Sequence, residues 1–338
     1  MLHFTDKGIY CPRADVYIDP WKPVQRALIT HGHSDHSRWG HQTYLCTRLA
    51  QPVIRHRLGP VNIETVEYGE IRTINGVDFS FHPAGHILGS AQIRVAFKGE
   101  VWVVSGDYKL EDDGLSGVFE PLRCHTFITE STFGLPVYHW KPQAEVFHDI
   151  NTWWKDNQAQ DKVSVITAYA LGKAQRILMG IDPAIGPIFT HGAIENVNEV
   201  IRGQGVSLPA TRRVNPAARG KGYSGGLVIA PPSVIGSLWL RQFREISLGV
   251  ASGWMTLRGS RRRKNADRGF VLSDHADWKG LNAAVHGTGA EKVIATHGYS
   301  DIFSQWLRQQ GLEAAAEKTA FEGELLDPAQ MEEGEKEE

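Results

Sequence analysis

Short apolar runs separated by glycine and asparagine dominate the first third of the chain. Residues 16–19, 26–30, 77–82, 91–97 and 101–105 carry β-branched and aromatic side chains over strand lengths, punctuated by Gly69, Asn75-Gly76 and Lys98-Gly99. The pattern predicts strands there and another over 127–130. Segments 143–154 and 172–179 predict helices, the second following a strand at 163–167. Strands at 187–190, 227–230, 270–273 and 292–296 then alternate with helices. Residues 331–338, five glutamates and a lysine among them, predict a disordered acidic tail. Thr-His-Gly recurs at 30–32, 190–192 and 296–298, too short a phrase to count as a repeat.

Five apolar runs lead into a residue able to bind metal or move protons. Leu28-Ile29 leads to His31, Val103-Val104 to Asp107, Phe127-Ile128 to Glu130, Val271-Leu272 to His275 and Val293-Ile294 to His297. Strand ends along one rim of a sheet converge, so residues far apart in sequence can build one site.

Composition narrows the class. At 338 residues, 41% hydrophobic and 22% charged, the chain can bury one large core or two smaller ones as a globular protein. Cys11, Cys46 and Cys124 form no CxxC and cannot all pair, which excludes a disulfide framework or a cysteine zinc knuckle. The start, Met-Leu-His-Phe-Thr-Asp-Lys, lacks the apolar core of a signal peptide, and no apolar run has membrane length. A cytoplasmic protein with no membrane partner is expected. Its net charge of −2 hides an asymmetry: residues 200–266 hold twelve Lys/Arg against one acid, Glu245, a net of +11, so the remainder carries −13. A polyanionic partner is the natural inference, against a merely solvated surface.

The chemistry concentrates in Thr30-His-Gly-His-Ser-Asp-His-Ser37, where His31, His33, Asp35 and His36 fall within six residues at a strand end. Such spacing lets one turn feed two adjacent ions, and a tag-like stretch would lack the interposed Asp. Pro83-Ala-Gly-His86 and Ser105-Gly-Asp107 supply the missing parts. His31, His33 and His86 would hold one ion; Asp35, His36 and His297 the other, with Asp107 bridging. Asp19 reads either as the residue that orients a ligand imidazole from behind or as a turn residue before Pro20.

Tyr169-Ala-Leu-Gly-Lys-Ala-Gln175 opens a helix after a strand, so Gly172 and Lys173 read as a phosphate cradle or as close helix packing. Arg258, Arg261, Arg262, Arg263 and Lys264 would neutralise backbone phosphates. Trp239, Trp254 and Tyr223 read as stacking platforms or core. His191 reads as structural or substrate-contacting, and the remaining histidines have no ligand spacing.

His31-x-His33-x-Asp35-His36, followed by His86 and Asp107, resembles the metallo-β-lactamase superfamily. Glu130-Ser-Thr, Ser273-Asp-His275 and Thr296-His297-Gly resemble three further motifs of its β-CASP nucleases. Over nearly the whole chain the sequence is similar to the bacterial ligase-associated DNA exonucleases, notably in Tyr10-Cys-Pro12, Tyr17-Ile-Asp-Pro-Trp21, Phe127-Ile-Thr-Glu-Ser-Thr-Phe-Gly134 and Tyr169-Ala-Leu-Gly-Lys-Ala-Gln-Arg176.

The resemblance implies an α/β (α+β) fold: an αββα sandwich from 1–139 and 268–330, with an inserted basic α/β β-CASP cap at 140–267 that binds nucleic acid. It implies two divalent ions, zinc or manganese, with Asp35, Asp107, Glu130 and His275 catalytic. A carboxylate that fixes one tautomer of an imidazole suits a proton donor to a leaving alkoxide. Ser131, Thr132 and Lys173 would bind a 5′ phosphate. The implied activity is hydrolysis of phosphodiester bonds at DNA ends in repair, 5′ to 3′, associated with an ATP-dependent DNA ligase and a helicase. Because the RNA-cleaving members also carry histidine where His297 stands, an RNA-processing nuclease stays open. A catalytically silent nucleic-acid-binding subunit is the third reading, against which the intact ligand set counts.

Overall fold

The structure, a computed structural model, describes residues 1–215, 221–257 and 266–321. Tertiary contacts divide them into two units, Met1–Tyr138 with 274–321, and His139–Ser273.

In the first unit, β1 (His3–Phe4), β2 (Ile9–Cys11), β3 (Val16–Ile18), β4 (Arg26–Leu28), β5 (Thr43–Thr47) and β6 (Ile63–Val66) lie side by side in chain order. The second sheet is ordered β19-β18-β11-β10-β9-β8-β7. It comprises β7 (Ile71–Ile74), β8 (Val77–Pro83), β9 (Ala91–Phe97), β10 (Glu100–Val104), β11 (Thr126–Ser131), β18 (Lys292–Gly298) and β19 (Glu313–Ala316). Thus the chain leaves after β11 and returns to lay β18 parallel beside it.

Strand periodicity of two sorts the side chains into separate cores. Val77, Phe79, Phe81, Ile93, Val95, Val104, Ile128 and Ile294 turn toward Ile9, Val16, Ile18, Leu28 and Val66 of the first sheet. Their neighbours Val103, Phe127, Val293 and Ala295 turn the other way. Phe79 is wholly buried, and truncation to alanine is expected to cost about 3–5 kcal/mol. Helix α1 (Gln51–Leu58) covers the outer face of the first sheet through Ile54 and Leu58.

The second unit holds a parallel sheet ordered β14-β13-β15-β12-β16-β17. Its strands are β12 (Val163–Thr167), β13 (Ile188–Thr190), β14 (Arg212–Arg213), β15 (Leu227–Ala230), β16 (Ile246–Ala251) and β17 (Arg268–Phe270). Every residue of β12 and β15 is buried, as in strands covered on both faces, with Ser164 and Thr167 the polar members. Helices α2 (Gln143–Gln158), α3 (Lys173–Gly180) and α4 (Gly192–Arg202) add Ile150, Trp154, Ile177 and Ile194 to one face; Tyr223 and Phe243 pack on the other.

One expectation differs here. The strand expected at 270–273 runs over Arg268–Phe270 and pairs with β16, with Gly249, Val250 and Ala251 opposing Arg268, Gly269 and Phe270. Contacts group the residues up to Ser273 with the second unit. Back in the first unit, α5 (Trp278–Thr288) begins on an Asp277 cap that accepts the Gly280 amide, and α6 (Ser300–Gln309) follows β18. Their Leu281, Val285, Phe303 and Leu307 cover the outer face of the second sheet. Among the described residues no helix is long and apolar enough to cross a membrane.

Candidate metal centre

The sheet registers bring the polar residues to one rim of the first unit. Pro83 at the end of β8 opposes Ala91 at the start of β9, and Ile93 opposes Val104 at the end of β10. The turn carrying His86 and the loop carrying Asp107 therefore share an edge. Strands β11 and β18 run parallel to β10 and bring Glu130 and His297 to it. The first sheet joins where the Thr30 carbonyl accepts the Ala91 amide at 2.8 Å. Both turn glycines are required: at Gly106 (φ +57°) a Cβ would lie 2.7 Å from the Thr30 side chain, and at Gly85 (φ +72°) 2.2 Å from the Lys109 carbonyl oxygen.

His31, His33, His86 and Asp107 present ligand atoms all within 4.8 Å of one another. His33 Nδ1 is 3.2 Å from His31 Nε2 and 3.0 Å from His86 Nε2, and Asp107 Oδ2 is 3.5 Å and 3.8 Å from the same two Nε2 atoms. The far nitrogens fix the tautomers. Thr30 Oγ1 donates to the Asp19 carboxylate at 2.5 Å, so it accepts from His31 Nδ1 at 3.0 Å. His86 Nδ1 donates to the Asp274 carbonyl at 2.8 Å. Both Nε2 lone pairs then face His33 and Asp107, which is the arrangement a cation requires. Burial holds His31 well below the usual histidine range and His86 down to about 3, reinforced by neighbouring imidazoles, so both are neutral.

On the other side of Asp107 stand His36 and His297. His36 Nε2 is 3.5 Å from Asp107 Oδ2, and His297 Nε2 is 3.0 Å from Oδ1. Their Nδ1 atoms are engaged, His36 with Asp19 at 2.8 Å and His297 with Thr296 Oγ1 at 3.3 Å, whose own hydroxyl donates to the Thr129 carbonyl. His36 Nε2, His297 Nε2 and Asp107 Oδ1 are buried without a hydrogen-bond partner. Three buried polar atoms so close are costly together unless a proton or a metal ion sits among them. Burial alone would lower His36; Asp107, then Asp35, outweigh it and hold the ring well above its ordinary range. For Asp107 burial works upward and is outweighed by His36, then His297 and His275, leaving the carboxyl well below its usual range. The field that favours a proton here also favours a metal ion. These residues fit two ions sharing Asp107. Asp35 stands beside the trio, its Oδ2 3.7 Å from His36 Nε2.

Asp19 stands behind an imidazole of each set. It is buried at φ +43°, holds His36 directly and holds His31 through Thr30.

Next to Asp107, Glu130 Oε2 is 2.9 Å from His275 Nδ1. Glu130 also accepts the Tyr108 amide at 2.8 Å and the Thr132 hydroxyl at 2.5 Å, so its carboxylate is fixed. Burial would lower His275, but Glu130, then Asp107, push it up to about 10. Unlike the other rim residues, His275 reaches the site from the segment before α5 rather than from a strand end. Ser131 and Thr132, expected to bind a phosphate, each hold a neighbouring group of the site. Both are buried, and Ser131 Oγ donates to the Thr296 and His297 carbonyls at 2.8 and 2.6 Å, pinning the β11–β18 bulge.

At Gly172, where a phosphate cradle or close helix packing is expected, the groups at the helix start have partners within the chain. The Gly172 amide donates to Gln175 Oε1 at 2.7 Å, the Ala174 amide to the Tyr169 carbonyl, and Lys173 is fully buried with Nζ 4.9 Å from the Tyr169 ring centre. Tyr223 and Trp254 are core residues; Trp239 is half-buried against His191 and Phe243. The basic window also looks more charged than its surroundings make it, since Arg202 pairs with Glu195 and Arg213 with Glu199, acids just outside it. Arg258, Arg261, Arg262, Arg263 and Lys264 lie outside the described residues. Residue-by-residue reading missed Thr30, Thr296 and the Asp274 carbonyl. The recurring Thr-His-Gly was the signal for the two threonines.

No family model matches the chain. It is similar to a protein named Probable DNA ligase from Opitutus terrae, 32% identical over 313 residues, covering 91% of this chain and 30% of that one. It is also similar to Cleavage and polyadenylation specificity factor 73 from Drosophila melanogaster (29% over 122 residues, 36% of this chain and 18% of the relative). Endoribonuclease YSH1 from Saccharomyces cerevisiae is 30% identical over 122 residues, 36% of this chain and 15% of the relative. The chain thus spans less than a third of the length of each of these curated relatives. A solved structure of a protein of unknown function from Enterococcus faecalis shares the fold, with a TM-score of 0.57 at 9% identity over 80% of this chain and 74% of the other.

Proposed function

We propose that the chain is a metal-dependent phosphodiesterase that hydrolyses DNA from an end, with the first unit as a metallo-β-lactamase αββα sandwich and the second as its β-CASP cap. The carrying observation is Asp107, whose carboxylate lies within 3.8 Å of Nε2 of His31 and His86 on one side and of His36 and His297 on the other, beside the Glu130–His275 pair. When bound, two divalent ions supply a nucleophile at neutral pH and neutralise charge during an in-line displacement at phosphorus. The chain's own residues do the rest. Asp19, Thr30, Thr296 and the Asp274 carbonyl orient four imidazoles. Glu130 holds Nδ1 of His275, leaving Nε2 to hand a proton to the departing oxygen.

DNA is favoured over RNA because the similarity that spans 91% of the chain is to a protein named as a DNA ligase, whereas the RNA-processing relatives match 36%. A segment like this one within a ligase-named polypeptide also supports work beside a ligase. Charge agrees with a polyanion, since residues 139–273 hold eighteen Lys/Arg against nine acids. Polarity 5′ to 3′ rests on the family resemblance. A second reading, an RNA-processing nuclease, is favoured by His297 beside Asp107.

Digestion of end-labelled DNA and RNA, linear and circular, with Mn²⁺, Mg²⁺ or Zn²⁺ tests the proposal. Linear DNA should be consumed while covalently closed single-stranded circles survive. Circles cut as fast as linear strands would overturn the end requirement, and preferred cleavage of RNA would establish the second reading.

A further inference from the structure

Phe321 lies in no strand or helix, yet three aromatic contacts and a clamp seat it against the metal-binding loop. Its ring stacks on His36 with centroids 4.3 Å apart and planes 10° from parallel. It meets His297 edge-on at 5.6 Å and Trp21 edge-on at 5.6 Å. Arg38, two residues after His36, donates to the preceding Ala320 carbonyl at 2.7 Å and to the Asp35 carbonyl at 3.3 Å. Trp21 is itself tied down by its indole N–H to the Asp6 carbonyl. The Asp-Pro-Trp phrase at 19–21 therefore holds His36 twice: Asp19 fixes Nδ1, and Trp21 backs the ring lying on its face.

A hydrogen bond at Nδ1 fixes which nitrogen carries the proton but leaves the imidazole free to tilt about that bond. A flat aromatic contact removes the tilt, and an apolar cover lowers the local dielectric and excludes water. His36 and His297 are imidazoles of the second ion position alone, since the first is built from His31, His33 and His86. We propose that Phe321 is a positioning residue for the second ion, setting the affinity of that position without touching substrate. The proposal rests on the two-metal reading above.

Stepwise titration of the metal-free full chain with Mn²⁺ or Zn²⁺, against a competing chelator, tests it. Phe321→Ala should weaken the second dissociation constant about 10–100-fold and leave the first within about twofold. Phe321→Tyr should restore the second constant and Phe321→Leu should not, because the plane rather than the apolar volume matters. Trp21→Leu should shift the second constant the same way by less, an independent arm should Phe321→Ala fold poorly. Equal weakening of both steps, full rescue by leucine, or an unchanged second step would overturn the role of Phe321. A wild-type chain that binds only one ion would instead sink the two-metal reading itself.

Discussion

The same three residues, Thr-His-Gly, close two regions of this molecule with opposite results. At 30–32 and 296–298 the threonine hydroxyl gives its own proton away and accepts from the following imidazole, so Nε2 turns a lone pair toward Asp107. At 190–192 the threonine donates to Glu195 instead, and His191 Nδ1 accepts the Ala193 amide as the cap of α4. His191 lies against Trp239 and joins no cluster of ligands among the described residues. Whether an imidazole can offer a lone pair to a cation is set by what holds its other nitrogen, not by the phrase it sits in.

The contrast can be broken most sharply at its centre. Asp107→Ala should lose more than about 10³-fold in turnover, beyond what removal of one transition-state donor costs, together with bound metal. His191→Ala should keep both. Wild-type turnover in Asp107→Ala would end the bridging role. Smaller in scale, His275→Ala should keep its metal content and lose about 10²–10⁴-fold in turnover, as expected for a proton donor. Glu130→Gln should fall less, because an amide can still orient Nδ1. Metal analysis and single-turnover rates on the same preparations separate these cases.

The threonines sharpen the contrast further. Thr30→Val and Thr296→Val should each weaken metal binding about 10–100-fold. Thr190→Val should leave metal binding alone and cost the second unit about 1.5–3 kcal/mol, since it removes a hydrogen bond to a buried carboxylate. Denaturant melts read alongside metal titrations would expose any exchange of these two phenotypes.

The smallest effect is one of pH. Burial would raise Glu195, but hydrogen bonds from Thr190, Thr211 and Arg202 outweigh it and hold the carboxyl below its ordinary 4.5. A depressed folded value means the unfolded chain binds the proton first. Its stabilisation is therefore complete above pH 4.5 and is lost as pH falls through the lower folded value. Glu195→Gln should flatten the acid limb of the second unit's stability curve; an unchanged limb would assign it to other carboxylates.

Much of the candidate site was legible because its residues announce themselves chemically. His31, His33, His36, His86, Asp107 and His297 come from short phrases whose spacing alone suggests two ions. Strands with clean alternation, such as β8 and β9, were legible for the same local reason. Segments without a local signature were not. α1 is eight residues long with three basic side chains in its last turn, and β16 carries a glycine in mid-strand. β17 was misassigned because Val271-Leu272 continues the apolar run past the point where pairing with β16 stops. The burial and partners of Ser131, Thr132 and Lys173 were not legible, because both are tertiary properties. Phe321 was invisible because it contacts His36 from 285 positions away in the chain.

Anomalous diffraction from crystals of the metal-loaded full chain, at the edge of the added ion, addresses the central claim directly. Two peaks are predicted about 3.5–4 Å apart, one against His31, His33 and His86, the other against His36 and His297, with Asp107 between them. A single peak, or ions held away from Asp107, would contradict it.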